Sequence, residues 1–139
     1  MGQIPKIIID TNLIVSASGW GGLPAQALDL VSEKKIYLLI SPILFSELQR
    51  ALTYSKFRFL SEKQEKILKF MIKHSTLVYP EIAVSTLPNN DPDNRVLECA
   101  LEAKADCIVT GDKLLQSLHP WSGISILSPA KFLESSFID

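Results

Sequence analysis

Four acidic residues of this chain fall where a solvated charge is out of place, and together they point to the chemistry of a hard metal ion. Asp10 ends the run Ile7-Ile8-Ile9, a short β-branched segment that reads as a central parallel strand buried on both faces. A strand-end aspartate can cap the next turn, but that end of a parallel sheet is also where ligands bind. Glu47 lies in a segment that reads as a helix. At about 100° per residue from Ile43, it falls near 40°, between Ile43 and Ala51 on an apolar arc continued by Leu44, Leu48 and Leu52. An acid there is costly unless it is paired or metal-bound; the alternative is an edge position reaching solvent. Asp93 stands about 100° from Pro92, inside the arc of Val96, Leu97, Ala100 and Leu101. Arg95, Glu98 and Glu102 take the opposite side, which reads as solvated, and Asp91 reads as the N-cap ahead of a first-turn proline. Asp112 follows Cys107-Ile108-Val109 through Thr110-Gly111. It can cap a helix beginning at Lys113 and serve a site as well.

If the helices start at one sheet edge, Asp10, Glu47, Asp93 and Asp112 converge. Carboxylates within ~4 Å repel by roughly 4 kcal/mol per pair at an effective dielectric near 20. Such a cluster persists only by taking up protons or cations. Oxygen ligands without histidine favour Mg²⁺ or Mn²⁺. These ions can deprotonate a water and steady a leaving oxygen in phosphodiester hydrolysis. Competing chemistries lack their parts. There is no P-loop or GxGxxG, and His74 and His119 have no ligand-spaced partners. Cys99 and Cys107 are too few for a disulfide framework or a zinc site and read as small buried hydrophobes.

The elements that must position these acids alternate. Strands are expected at Lys6–Asp10, Ile36–Ile40, Thr76–Tyr79, Asp106–Thr110 and Ile124–Leu127. Helices are expected from Pro24 to about Lys34, from a Ser41 cap to about Tyr54, over Ser61–Lys73, from Pro92 to Lys104, and from Pro129. Gly19-Trp20-Gly21-Gly22 reads as a break, and Pro80–Asn90 as a polar loop. Alternation of this kind implies right-handed crossovers and a parallel sheet covered on both faces. With 139 residues, 47% of them hydrophobic and 21% charged, one domain spanning residues 1–139 is expected. A formal net charge of −1 excludes a global positive field that would draw in nucleic acid, though metal can supply positive charge locally. No apolar stretch approaches the ~18 residues of a membrane span, so no membrane association and a cytoplasmic location are expected.

The motifs Ile-Ile-Ile-Asp10-Thr11-Asn12, Ser46-Glu47-Leu48, Asp91-Pro92-Asp93-Asn94-Arg95-Val96-Leu97 and Ile-Val-Thr110-Gly111-Asp112-Lys113 resemble the PIN-domain family. The resemblance runs in order from about Lys6 to Leu115, and the tail fits a fifth strand and last helix. It implies a three-layer α/β/α sandwich with a parallel sheet of four to five strands, and an endoribonuclease dependent on Mg²⁺ or Mn²⁺. It implies Asp10, Glu47, Asp93 and Asp112 as the catalytic, metal-binding acids, supported by Thr110, Asn12 and Asp91. Many small members are toxins of the VapC sort, which implies an RNA substrate, an antitoxin partner and a homodimer or higher oligomer. The rival readings are a non-catalytic or RNA-processing PIN module binding RNA or a protein, another phosphate-handling α/β domain, and action on DNA. The mixed basic and aromatic segment Tyr54–Phe59 reads as an RNA-stacking strip or a packing face. Trp20 reads as an aromatic near the site, and Trp121 as site or core.

Overall fold

The computed structural model describes residues 3–54 and 61–138. Five strands, β1 (Lys6–Ile9), β2 (Tyr37–Ile40), β3 (Ser75–Leu77), β4 (Cys107–Val109) and β5 (Ser125–Leu127), form one all-parallel sheet in the order β3-β2-β1-β4-β5. Around it lie α1 (Thr11–Trp20), α2 (Gly22–Ser32), α3 (Pro42–Leu52), α4 (Ser61–His74), α5 (Asn94–Ala103), α6 (Lys113–Gln116) and α7 (Pro129–Leu133). This is the expected α/β/α sandwich. Strand β1 sits at its centre, with Ile7, Ile8 and Ile9 at most 4% exposed and Ile8 level with Ile108 of β4. From β1 the chain winds outward through β2 to β3, then returns to the other side of β1 for β4. Strand order therefore reverses between β1 and β4, and such a reversal opens a crevice beyond the carboxyl ends of the two strands.

Three differences from the sequence expectation concern how helices start. A helix, α1, starts directly after β1, where no helix was expected before the glycine break. Its β-branched Thr11, Ile14 and Val15 and its Gly19 are weak helix formers, but Thr11, Ile14 and Val15 are buried, so packing outweighs propensity. Helix α2 begins at Gly22 rather than Pro24. The corner between the two helices is turned by Gly21 (φ 71°) and Gly22 (φ 70°), a left-handed backbone that glycine adopts at little cost. Helix α5 begins at Asn94 rather than Pro92. Asp91–Asp93 form a turn in which Asp91 Oδ1 accepts the Asp93 N–H at 2.9 Å, so Asp91 caps the turn that leads into the helix.

A fourth difference concerns what covers α5. Glu98 does not face solvent and Glu102 does so only in part, because the connection between β3 and α5 lies across them. Glu98 is buried; its Oε2 accepts the Val84 N–H at 2.8 Å, and its Oε1 is 2.9 Å from Arg95 Nε. Glu102 Oε1 accepts the Glu81 N–H at 2.8 Å. Asn94, 1% exposed, accepts the Leu87 N–H at 2.9 Å and donates to the Leu87 carbonyl at 3.0 Å. Val84 and Leu87 are thereby buried against the helix. A helical wheel shows which face is polar but not whether another segment needs that polarity.

Replacing Asn94 by Ala strands a buried donor and acceptor on Leu87. It should cost about 2–4 kcal/mol in urea unfolding, more than Glu98→Gln, which keeps an acceptor for Val84. An Asn94→Ala protein as stable as the wild type would show that Leu87 is not held this way.

Candidate active site

The acids are set by the ends of the two central strands. The Asp10 backbone still pairs with β4, its N–H donating to the Val109 carbonyl at 2.9 Å. Its side chain is 6% exposed. Asp10 Oδ1 accepts the Asn12 N–H at 3.2 Å, which caps α1, and Oδ2 accepts the Thr110 hydroxyl at 2.8 Å. Thr110 is fully buried at the end of β4, and its Oγ1 also accepts the Asp112 N–H at 3.0 Å. Its carbonyl accepts Gln116 Nε2 at 2.7 Å. One hydroxyl thus ties the end of β1 to the turn carrying Asp112. Asp112 in turn caps α6, its Oδ1 accepting the Leu115 N–H at 3.0 Å.

Asp93, half-buried ahead of α5, brings a third element to this point. Its carboxyl is pushed up to about 7, first by burial and then by the charges of Asp10, Asp112 and Asp91. A hydrogen bond with Asp112 adds to the rise. A carboxyl that keeps its proton near neutrality beside other carboxylates is the response of a buried cluster of like charges. Glu47, half-buried on α3, is raised by burial, lowered by Arg50, raised by Asp10 and lowered by Arg95. It stands in the same field as Asp10 with two guanidinium groups offsetting part of the repulsion.

Among the described residues, no three Asp, Glu, His or Cys side chains stand close enough to enclose an ion by themselves. The donor set is nonetheless oxygen-only. Mg²⁺ is commonly held by one or two carboxylates and several waters, a demand that two of Asp10, Asp93 and Asp112 are enough to meet.

The remaining sequence candidates fall apart in space. Asn12 is exposed and supports Asp10 through its backbone N–H. Trp20 ends α1 rather than lying in a loop; at 1.5 Å rise per residue, it is about 15 Å along the helix axis from Asp10. Trp121 is half-buried in an isolated bridge to Ile124. In Tyr54–Phe59, residues 55–59 lie outside the described residues. Both cysteine thiols are buried and pushed up to about 12 by that burial, so neither is a nucleophile at neutral pH. Arg50 and Arg95 were not singled out from sequence. The available signal was their spacing, three residues after Glu47 and two after Asp93.

The sequence pattern of the PIN domain matches residues 6–114. An uncharacterized protein of Methanocaldococcus jannaschii is 34% identical over 118 residues, covering 82% of this chain and 75% of that protein. A chain of VapBC2 from Rickettsia felis, solved bound to a DNA fragment from their promoter, superposes with a TM-score of 0.62 at 16% identity, covering 87% of this chain and 96% of its own. The PIN-domain endonuclease Utp24 superposes with a TM-score of 0.56 at 22% identity, covering 91% and 86% respectively. At these identities the two structures show a shared fold.

Because the Asp93 carboxyl is raised from 3.8 to about 7, the folded protein keeps a proton that the unfolded chain has lost. The contribution of this group to stability therefore falls as pH rises through that window, and is least favourable above it. In the presence of a chelator, Asp93→Asn should raise Tm at pH 8, with the gain shrinking toward pH 5. A wild type more stable than the variant at pH 8 would contradict the crowding.

Proposed function

Because this chain belongs to the PIN-domain family, we propose that it is a Mg²⁺- or Mn²⁺-dependent endoribonuclease. Its hydrolytic site is the cluster of Asp10, Glu47, Asp93 and Asp112. The observation that carries this reading is the Asp93 carboxyl, held protonated up to about 7 by three neighbouring acids and bonded to Asp112. Such an arrangement is unfavourable for folding and favourable for taking up a divalent cation.

Bound here, a divalent ion supplies an activated water and neutralises charge on the phosphodiester oxygens. The chain's own work is placement. Thr110 fixes the Asp10 carboxylate and the backbone of the Asp112 turn through one hydroxyl. The Leu115 N–H holds one Asp112 oxygen. Asp93 releases its proton on taking up the cation, so metal affinity falls as pH drops below about 7. Glu47 approaches from α3 and adds negative charge on the side of the cluster where Arg50 and Arg95 stand.

Cleavage of mixed cellular RNA should require Mn²⁺, stop with EDTA and be lost in Asp93→Asn; equal cutting by both proteins would overturn the mechanism. Thr110→Val should reduce the rate about 10–100-fold and Thr110→Ser much less, because the former removes the orienting hydroxyl while keeping the volume.

The proposal extends to a cytoplasmic toxin restrained by an antitoxin protein. Its support is the set of four motifs in family order and the fold shared with a chain of VapBC2. Induced expression of the chain alone should arrest growth and Asp93→Asn should not; growth unaffected by an RNA-cleaving wild type would remove the toxin role and leave the nuclease.

A further inference from the structure

A cluster of acids is a poor place to bring a polyanion, and the chain as a whole does nothing to help, with a net charge of −1. Metal neutralises the phosphate being cut. The neighbouring phosphates need cations of their own, because phosphate contacts dominate nucleic-acid affinity. Two guanidinium groups lie within the field of Glu47. Arg95 is already engaged, with Nε 2.9 Å from Glu98 Oε1 and a terminal nitrogen 3.4 Å from the Val84 carbonyl. The first lies within α5 and the second holds the connection across it. Arg50 differs. It is exposed, its backbone carbonyl caps the end of α3 through Thr53, and its guanidinium has no hydrogen-bond or ion-pair partner among the described residues.

Position favours Arg50 as well. It lies three residues after Glu47, so the two share one side of α3 and are about 4.5 Å apart along its axis. Among exposed cations, Lys35 illustrates the contrast. It is paired with Glu33 at 3.5 Å and precedes β2, at the end of the sheet away from the acids. Arginine also suits the task, since its planar fork matches phosphate oxygens and it is charged at every working pH.

We propose that Arg50 is a substrate contact, its guanidinium holding a backbone phosphate of the RNA beside the one being cleaved, on the Glu47 side of the acid cluster. This rests on the nuclease reading for the position of the cleaved bond. The phosphate contact itself can be read without turnover.

The test uses the full chain and a fluorescent single-stranded RNA oligonucleotide, with Arg50→Ala, Arg50→Lys and Lys35→Ala compared to wild type. Binding is followed by anisotropy in EDTA, and cleavage by initial rates in Mn²⁺. Arg50→Ala should weaken binding and raise KM about tenfold. It should leave kcat and the Mn²⁺ half-saturation within about twofold and lower the salt slope of binding by about 0.7, the value of one single-strand phosphate contact. Arg50→Lys should recover most of the loss, and Lys35→Ala should bind as wild type. Unchanged KM and salt slope, a loss confined to kcat or to Mn²⁺ half-saturation, or an equal loss in Lys35→Ala would each overturn the proposal. If the wild type binds the oligonucleotide but does not cut it, an Arg50-dependent salt slope keeps the phosphate contact and removes the nuclease. A wild type that does neither removes both.

Discussion

Ile7, Ile8 and Ile9 have no face on which to carry a charge, and this constraint organises the molecule around its first acid. A strand covered by helices on one side of the sheet and on the other can display polarity only where it leaves the sheet. Asp10 is that point. The strand beside it, β4, is buried in the same way and first becomes polar at Thr110. Parallel pairing then sets the two first polar residues side by side, Asp10 and Thr110 joined through a 2.8 Å hydrogen bond. The topology places this pair at the reversal of strand order, so the crevice and the acids arise from one arrangement.

Around that pair the chain accepts local cost. Asp93 is held where its ionised form is disfavoured by burial and by three neighbouring charges. Elsewhere the polar groups are closely matched. Asn94 satisfies both backbone groups of Leu87, and Glu98 and Glu102 take up amides of the connection that crosses α5. The contrast lies along a single stretch, with Asp93 in conflict and Asn94 fully satisfied. Local conflict of this kind clusters at functional sites.

The same stretch shows how far residue patterns carry. Asp93 and Glu98 both lie on α5 or its entry, and helical periodicity assigned one inward and the other outward. Periodicity is a property of the helix alone. Asp93 is half-buried because of where the helix enters the sheet edge. Glu98 is buried because a connection with little regular structure of its own needs acceptors for its amides. Helix α1 is hidden from local patterns for a related reason: several of its residues are weak helix formers, and burial of Ile14 and Val15 against neighbouring elements supplies what propensity lacks.

The alternation of strands and helices and the parallel sheet are legible in the residues alone, where the four acids stand out as misfits among apolar neighbours. These follow from short-range rules, the burial of β-branched runs and the period of a helix. Which groups meet is a matter of the folded arrangement. It joined Asp10 to Asp112 through the Thr110 hydroxyl, set Asp93 among three like charges, turned Glu98 and Glu102 from solvent to the connection above them, and carried Trp20 away along α1. It also separated Arg95, held by Glu98, from Arg50, which stands exposed on the Glu47 side of α3. Contacts between residues a hundred positions apart depend on strand order and on what each segment leaves unsatisfied, and neither is written in the spacing of residues along the chain.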